Sequence, residues 1–75
     1  MPETELARIE VGFQGGDVLA VRVPVPEADR LEAALRKRED TVCELNAEDG
    51  RFIVALERVV YVKRYAREAR VGFTR

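Results

Sequence analysis

Four successive apolar residues, Val59-Val60-Tyr61-Val62, constrain this chain more than any other feature. They sit in its densest run of β-branched and aromatic residues, Phe52 to Tyr65. A strand with one wet face alternates apolar and polar positions; a run without alternation reads as a strand covered on both faces. Val59 to Val62 is therefore expected to be a central strand. Directly after it the chain turns basic, with Lys63, Arg64, Arg67 and Arg70.

Two further strands precede it at short range. Thr41 to Ala47 carries Val42, Cys43 and Leu45, and Phe52 to Leu56 follows the Glu48-Asp49-Gly50 turn. Asp-Gly favours the turns that close hairpins. Glu57-Arg58 interrupts the apolar run and predicts a short turn into a fifth strand, Val59 to about Tyr65. No crossover helix fits between these segments, so they are expected to be antiparallel.

The first half has its own signals. Ala7, Ile9, Val11 and Phe13 share one face of a strand, and Arg8, Glu10 and Gly12 share the other. Gln14-Gly15-Gly16-Asp17 supplies a hairpin turn, because paired glycines reach positive φ without steric cost. A phosphate-binding loop would need a longer glycine pattern ending in Lys-Ser/Thr and leading into a helix. Val18 to Val23 alternates again. Pro24-Val25-Pro26 ends that strand, since proline cannot donate to the ladder. A helix is expected from about Glu27 to Arg38, with Ala28, Leu31, Ala34 and Leu35 as its apolar stripe. Arg36, Lys37 and Arg38 then complement the carbonyl end of the helix dipole.

The expected fold is thus α+β: one five-stranded, mainly antiparallel sheet, ordered β-β-α-β-β-β along the chain, with one helix packed on one face. At 75 residues the whole chain reads as a single domain, with residues 1–5 as an N-terminal tail and residues 66–75 as a basic C-terminal segment. One short helix cannot cover five strands. The second face is expected to carry the C-terminal segment or to meet another subunit.

Composition narrows the chemistry. The chain has no histidine and one cysteine, Cys43. Ser-His-Asp and Cys-His catalysis need histidine, and an intrachain disulfide needs a second cysteine. Histidine is also the commonest transition-metal ligand. Cys43 beside Glu44 lacks the cationic setting of a reactive thiol and reads as packed and inert. The carboxylate pairs Glu39/Asp40 and Glu48/Asp49 sit at turns, where neighbouring side chains do not face each other across a cleft. No enzyme activity, metal or cofactor is expected. The longest apolar runs are far too short to span a membrane, and the acidic N-terminus lacks a signal-peptide core, so a cytoplasmic location is expected.

Net charge is −1, unevenly distributed. Residues 1–50 carry twelve Asp/Glu against six Lys/Arg, and residues 51–75 carry two against seven. The two halves can face each other, within or between subunits, or the basic half can meet an anionic partner. Tyr61, Lys63, Arg64, Tyr65, Arg67 and Arg70 form the candidate binding set. Aromatics interleaved with cations can stack on bases while neutralising phosphates. If the strand runs to Tyr65, then Tyr61, Lys63 and Tyr65 share one face. If a helix begins near Lys63, then Lys63, Arg67 and Arg70 share one instead. The competing reading is a core strand followed by a solvated charged tail.

In its order of elements the chain resembles a small actinobacterial protein family, a domain of unknown function. The likeness lies in Ile9-Glu10-Val11-Gly12, in Glu48-Asp49-Gly50-Arg51 leading to Val60-Tyr61-Val62, and in the ending Ala69-Arg70-Val71-Gly72-Phe73. The Lys63 to Arg67 segment is more cationic than the family pattern. The resemblance implies a bacterial, intracellular protein and no mechanism. It also implies that the ending from Arg70 to Phe73 belongs to the fold.

The functional expectation is a small non-enzymatic interaction module that self-associates through its sheet as a homo-oligomer, or binds a protein partner. The alternative is a module binding RNA or single-stranded nucleic acid through its basic C-terminal segment. A third reading is a small anionic ligand at the Arg-rich surface.

Overall fold

The computed structural model describes residues 5–66. Strands β1 (Leu6–Phe13) and β2 (Val18–Pro24) form the expected hairpin, joined by a turn in which Gly15 and Gly16 both have positive φ, 95° and 100°. Helix α1 (Val25–Lys37) follows without a linker, with Pro26 in its first turn, where a missing N–H costs nothing. It starts two residues before the sequence reading placed it. Arg38 ends it in the left-handed conformation, and its N–H donates to the Ala34 carbonyl at 2.9 Å. Strands β3 (Val42–Ala47) and β4 (Gly50–Ala55) form a second hairpin. A 3-10 turn, Leu56–Arg58, leads into β5 (Val59–Arg64).

Among the described residues the fold is α+β, with one helix and antiparallel strands, but the five strands make two sheets. One has the order β2-β1-β5 and the other is the β3-β4 hairpin. The expectation of one five-stranded sheet is corrected at the 3-10 turn. There the Leu56 N–H donates to the Thr41 carbonyl and the Arg58 carbonyl accepts from Gln14 N–H, both at 2.8 Å. The chain leaves the second hairpin at Leu56 and arrives beside β1 at Arg58. β5 therefore pairs with β1 instead of β4. The sheets meet where the Glu48 N–H donates to the Arg22 carbonyl at 2.8 Å.

One core joins both sheets and the helix. Ile9 and Val11 of β1, Val21 and Val23 of β2, Ala28 and Leu31 of α1, Cys43 and Leu45 of β3, Val54 of β4, Leu56 and Val59 are all buried. Ala34 and Leu35 pack on its margin, as the helical stripe requires.

Among the described residues β5 is an edge strand, which corrects the reading of Val59–Val62 as a central one. β1 takes the centre. The apolar run is explained by a bulge: the register shifts between Gly12 and Phe13, so that Val59 lies opposite Phe13 and Val62 opposite Val11. Val59 and Val62 turn toward the core, while Val60 and Tyr61 stay 59% and 43% exposed.

Candidate nucleic-acid interface

The face of the β2-β1-β5 sheet opposite the core is uncovered among the described residues. Its composition follows from period-two alternation and the strand register. Val18, Gly12 and Tyr61 form one row across the three strands, and Ala20, Glu10 and Lys63 form the next. Arg22 and Arg8 come third, and Tyr65 completes that row, its N–H donating to the Arg8 carbonyl at 2.9 Å.

Tyr61 lies flat against the sheet because its partner is glycine. A Cβ at position 12 would overlap the Tyr61 ring; even the third-nearest ring atom would be only 2.6 Å away. The missing side chain lets the ring rest on the backbone of β1, with its other side toward solvent. Tyr65 is held differently. Its hydroxyl donates to Glu10 Oε2 at 2.5 Å, and its ring lies under two cations, Arg8 at 4.7 Å and Lys63 at 4.4 Å from the centroid. The hydrogen bond to Glu10 is the main reason that the Tyr65 phenol titrates above its usual range. Tyr65 thus fixes two cations on the face, and Tyr61 supplies the open ring.

Among the described residues the three strands place three cations on this face, Arg8, Arg22 and Lys63, against one acid, Glu10, while Glu48 and Asp49 of the β3-β4 turn border its arginine end. None of the three enters an ion pair among the described residues. Arg8 and Arg22 lie directly opposite each other, an arrangement that costs stability when nothing anionic lies between them.

The sequence-derived candidates divide accordingly. Tyr61, Lys63 and Tyr65 do share one face, because β5 continues as a strand to Arg64 and no helix begins at Lys63. Arg64 is on the opposite face, opposite Ile9. Its Nη1 bridges Asp29 at 2.9 Å and Glu32 at 3.1 Å on α1, and these two hydrogen bonds raise its pKa. Here the basic and acidic halves of the chain do face each other. Arg67, Arg70 and the ending through Phe73 lie outside the described residues. Arg8, Arg22, Glu10 and Gly12 complete the face and were absent from the candidate set. The alternation in β1 had already put Arg8, Glu10 and Gly12 together, but only the pairing of β1 with β5 brings them to Tyr61 and Tyr65.

The remaining polar chemistry is structural. Glu27 accepts hydrogen bonds from Arg30 Nη2 at 2.6 Å, the Asn46 backbone N–H at 3.1 Å and Asn46 Nδ2 at 3.4 Å. Arg30 also donates to the Glu44 carbonyl at 2.8 Å. These bonds, led by the Asn46 backbone N–H, hold the Glu27 carboxyl below its ordinary range and tie α1 to β3. Cys43 is buried, and desolvation pushes its thiol up, away from the reactive thiolate. Among the described residues no group of three or more His, Cys, Asp or Glu could hold a metal ion. No helix among them is long and apolar enough to cross a membrane.

No family model, curated protein or solved structure matches the chain.

Proposed function

We propose that the chain is a non-enzymatic interaction module that binds single-stranded nucleic acid on the uncovered face of its three-stranded sheet. One observation carries this reading: an exposed ring, Tyr61, seated on Gly12, with Lys63 in the next row and Arg8 and Arg22 in the row beyond on the same face, none of the three paired to an acid among the described residues. Stacking on such a ring tolerates any base, and the cations neutralise the phosphates that follow it. The site is the sheet face itself, whether or not Arg67 and Arg70 add to it.

Binding of a labelled oligouridine, followed by fluorescence anisotropy across a salt series, tests the proposal. Three phosphate contacts predict a slope of log K against log salt of about −2, from roughly 0.7 per contact on a single strand. No binding at low salt would overturn it.

A second reading, self-association, is favoured by a separate observation. Among the described residues the outer edge of β5 has no neighbouring strand, and Val60 beside it is 59% exposed; on the second hairpin, Val42 and Ile53 are exposed as well. Open strand edges with apolar neighbours are templates for pairing with another chain. Sedimentation over a concentration series decides this reading. A strict monomer at high concentration would remove it and leave the nucleic-acid proposal standing.

A further inference from the structure

A cleft of about 460 Å³ opens at the arginine end of the same face. It is lined by Ala20, Val21 and Arg22 of β2, by Arg8 of β1, and by Glu48 and Asp49 of the β3-β4 turn, which borders it as a wall beside the strands. Val21 turns its side chain into the core, and Ala20 has little side chain, so the strand side stays open. The wall is fixed in place, because the Glu48 N–H is bonded to the Arg22 carbonyl at 2.8 Å.

The two sides carry opposite charge. A purely anionic ligand meets the Glu48 and Asp49 carboxylates, and a purely cationic one meets Arg8 and Arg22. The cleft suits a ligand with an anionic end and a donor edge. A nucleotide has both: its phosphate suits the guanidinium pair, which can grip it bidentately, and its base then lies toward the carboxylates. Carboxylates only accept hydrogen bonds. Guanine alone among the common bases presents two adjacent donor groups on its pairing edge, N1–H and the N2 amino group, which match the two oxygens of one carboxylate. Adenine and cytosine present one amino group each, and uracil one N–H.

We infer that the cleft between Arg8/Arg22 and Glu48/Asp49 is a base-reading pocket that selects guanine within a bound single strand. This rests on the nucleic-acid reading above and adds a base preference to it. The stacking position at Tyr61 is indifferent to base identity; the carboxylate wall is what discriminates. The arginine pair then stands opposite itself because a phosphate lies between its members in the complex.

The test compares three octamers of RNA by anisotropy at one salt concentration: all uridine, and uridine with a single central guanosine or adenosine. The wild type should bind the guanosine octamer about tenfold more tightly than the other two, in the range typical of a bidentate base contact. The double variant Glu48→Gln/Asp49→Asn should lose that preference and bind the all-uridine octamer at least as tightly, since it removes negative charge without touching the Glu48 backbone bond. Equal affinity of the wild type for all three would overturn this inference and leave the nucleic-acid proposal intact. A guanosine preference that survives in the double variant would also overturn it. Binding to none would overturn both.

Discussion

Gly12→Ala separates the stacking platform from the fold. Gly12 borders the bulge, but its φ lies outside the left-handed region that disfavours a side chain, so alanine can adopt its backbone there. Its methyl group, however, would occupy the volume now filled by the Tyr61 ring, with three ring atoms within 2.6 Å. Ordinary carbon–carbon contact needs about 3.5–4.0 Å, so the ring must retreat by about 1 Å or more, and it can do so because it is exposed. Stability should change little. Replacing glycine by alanine gains about 0.4–1 kcal/mol through the unfolded chain, and the lost ring contact offsets it. Binding should suffer more. A base–aromatic stack is worth about 1–3 kcal/mol, so losing it weakens a single-stranded oligonucleotide about 5- to 150-fold. Anisotropy with labelled oligouridine reads the affinity, and thermal unfolding reads the fold. Tyr61→Ala should match the affinity loss. An unchanged affinity in Gly12→Ala, with the melting temperature also unchanged, would refute the assignment of Tyr61 as the platform.

Other perturbations probe the parts that hold this face in place. Leu31→Ala empties a fully buried position between helix and sheets and should cost about 2–5 kcal/mol; of a total near 4–11 kcal/mol for a chain this size, that is a large share, read by urea or thermal unfolding. Arg64→Ala removes the bridge to Asp29 and Glu32, but these groups are partly exposed, so about 0.5–1 kcal/mol is expected, with oligonucleotide affinity unchanged because Arg64 lies on the helix side. Acid should loosen α1 from β3. Folding lowers the pKa of Glu27, so its contribution is complete above the unfolded carboxylate value and fades as pH falls through the depressed folded one. Urea midpoints in the acid range should therefore fall less in Glu27→Gln than in the wild type.

Local patterns in the sequence carried most of the elements. Period-two alternation located β1 and β2, the glycine pair located their turn, and the stripe of Ala28, Leu31, Ala34 and Leu35 located the inner face of α1. Long-range pairing was not legible in the same way. Nothing in Leu56-Glu57-Arg58 announces that the chain changes sheets there, and a single bulge turned the unbroken run Val59–Val62 into two inward and two outward residues. The candidate site shows the same division. Tyr61, Lys63 and Tyr65 share a face only on the strand reading, which the sequence left open beside a helical one and which β5, running to Arg64, decides; the same strand puts Arg64 on the other face. Arg8 and Arg22 could be added only once β1 was known to lie between β2 and β5. Gly12 reads as a weak point in a strand until Tyr61 is seen resting on it.

The central claim is that one face of one sheet is the binding surface. Amide chemical-shift mapping during titration with oligouridine tests it most directly. The account predicts shifts confined to Arg8–Gly12, Val18–Arg22 and Tyr61–Tyr65, with the adjoining turn at Glu48 and Asp49 as a margin. Shifts centred on α1 or on the outer face of the β3-β4 hairpin, or none at all, would contradict it.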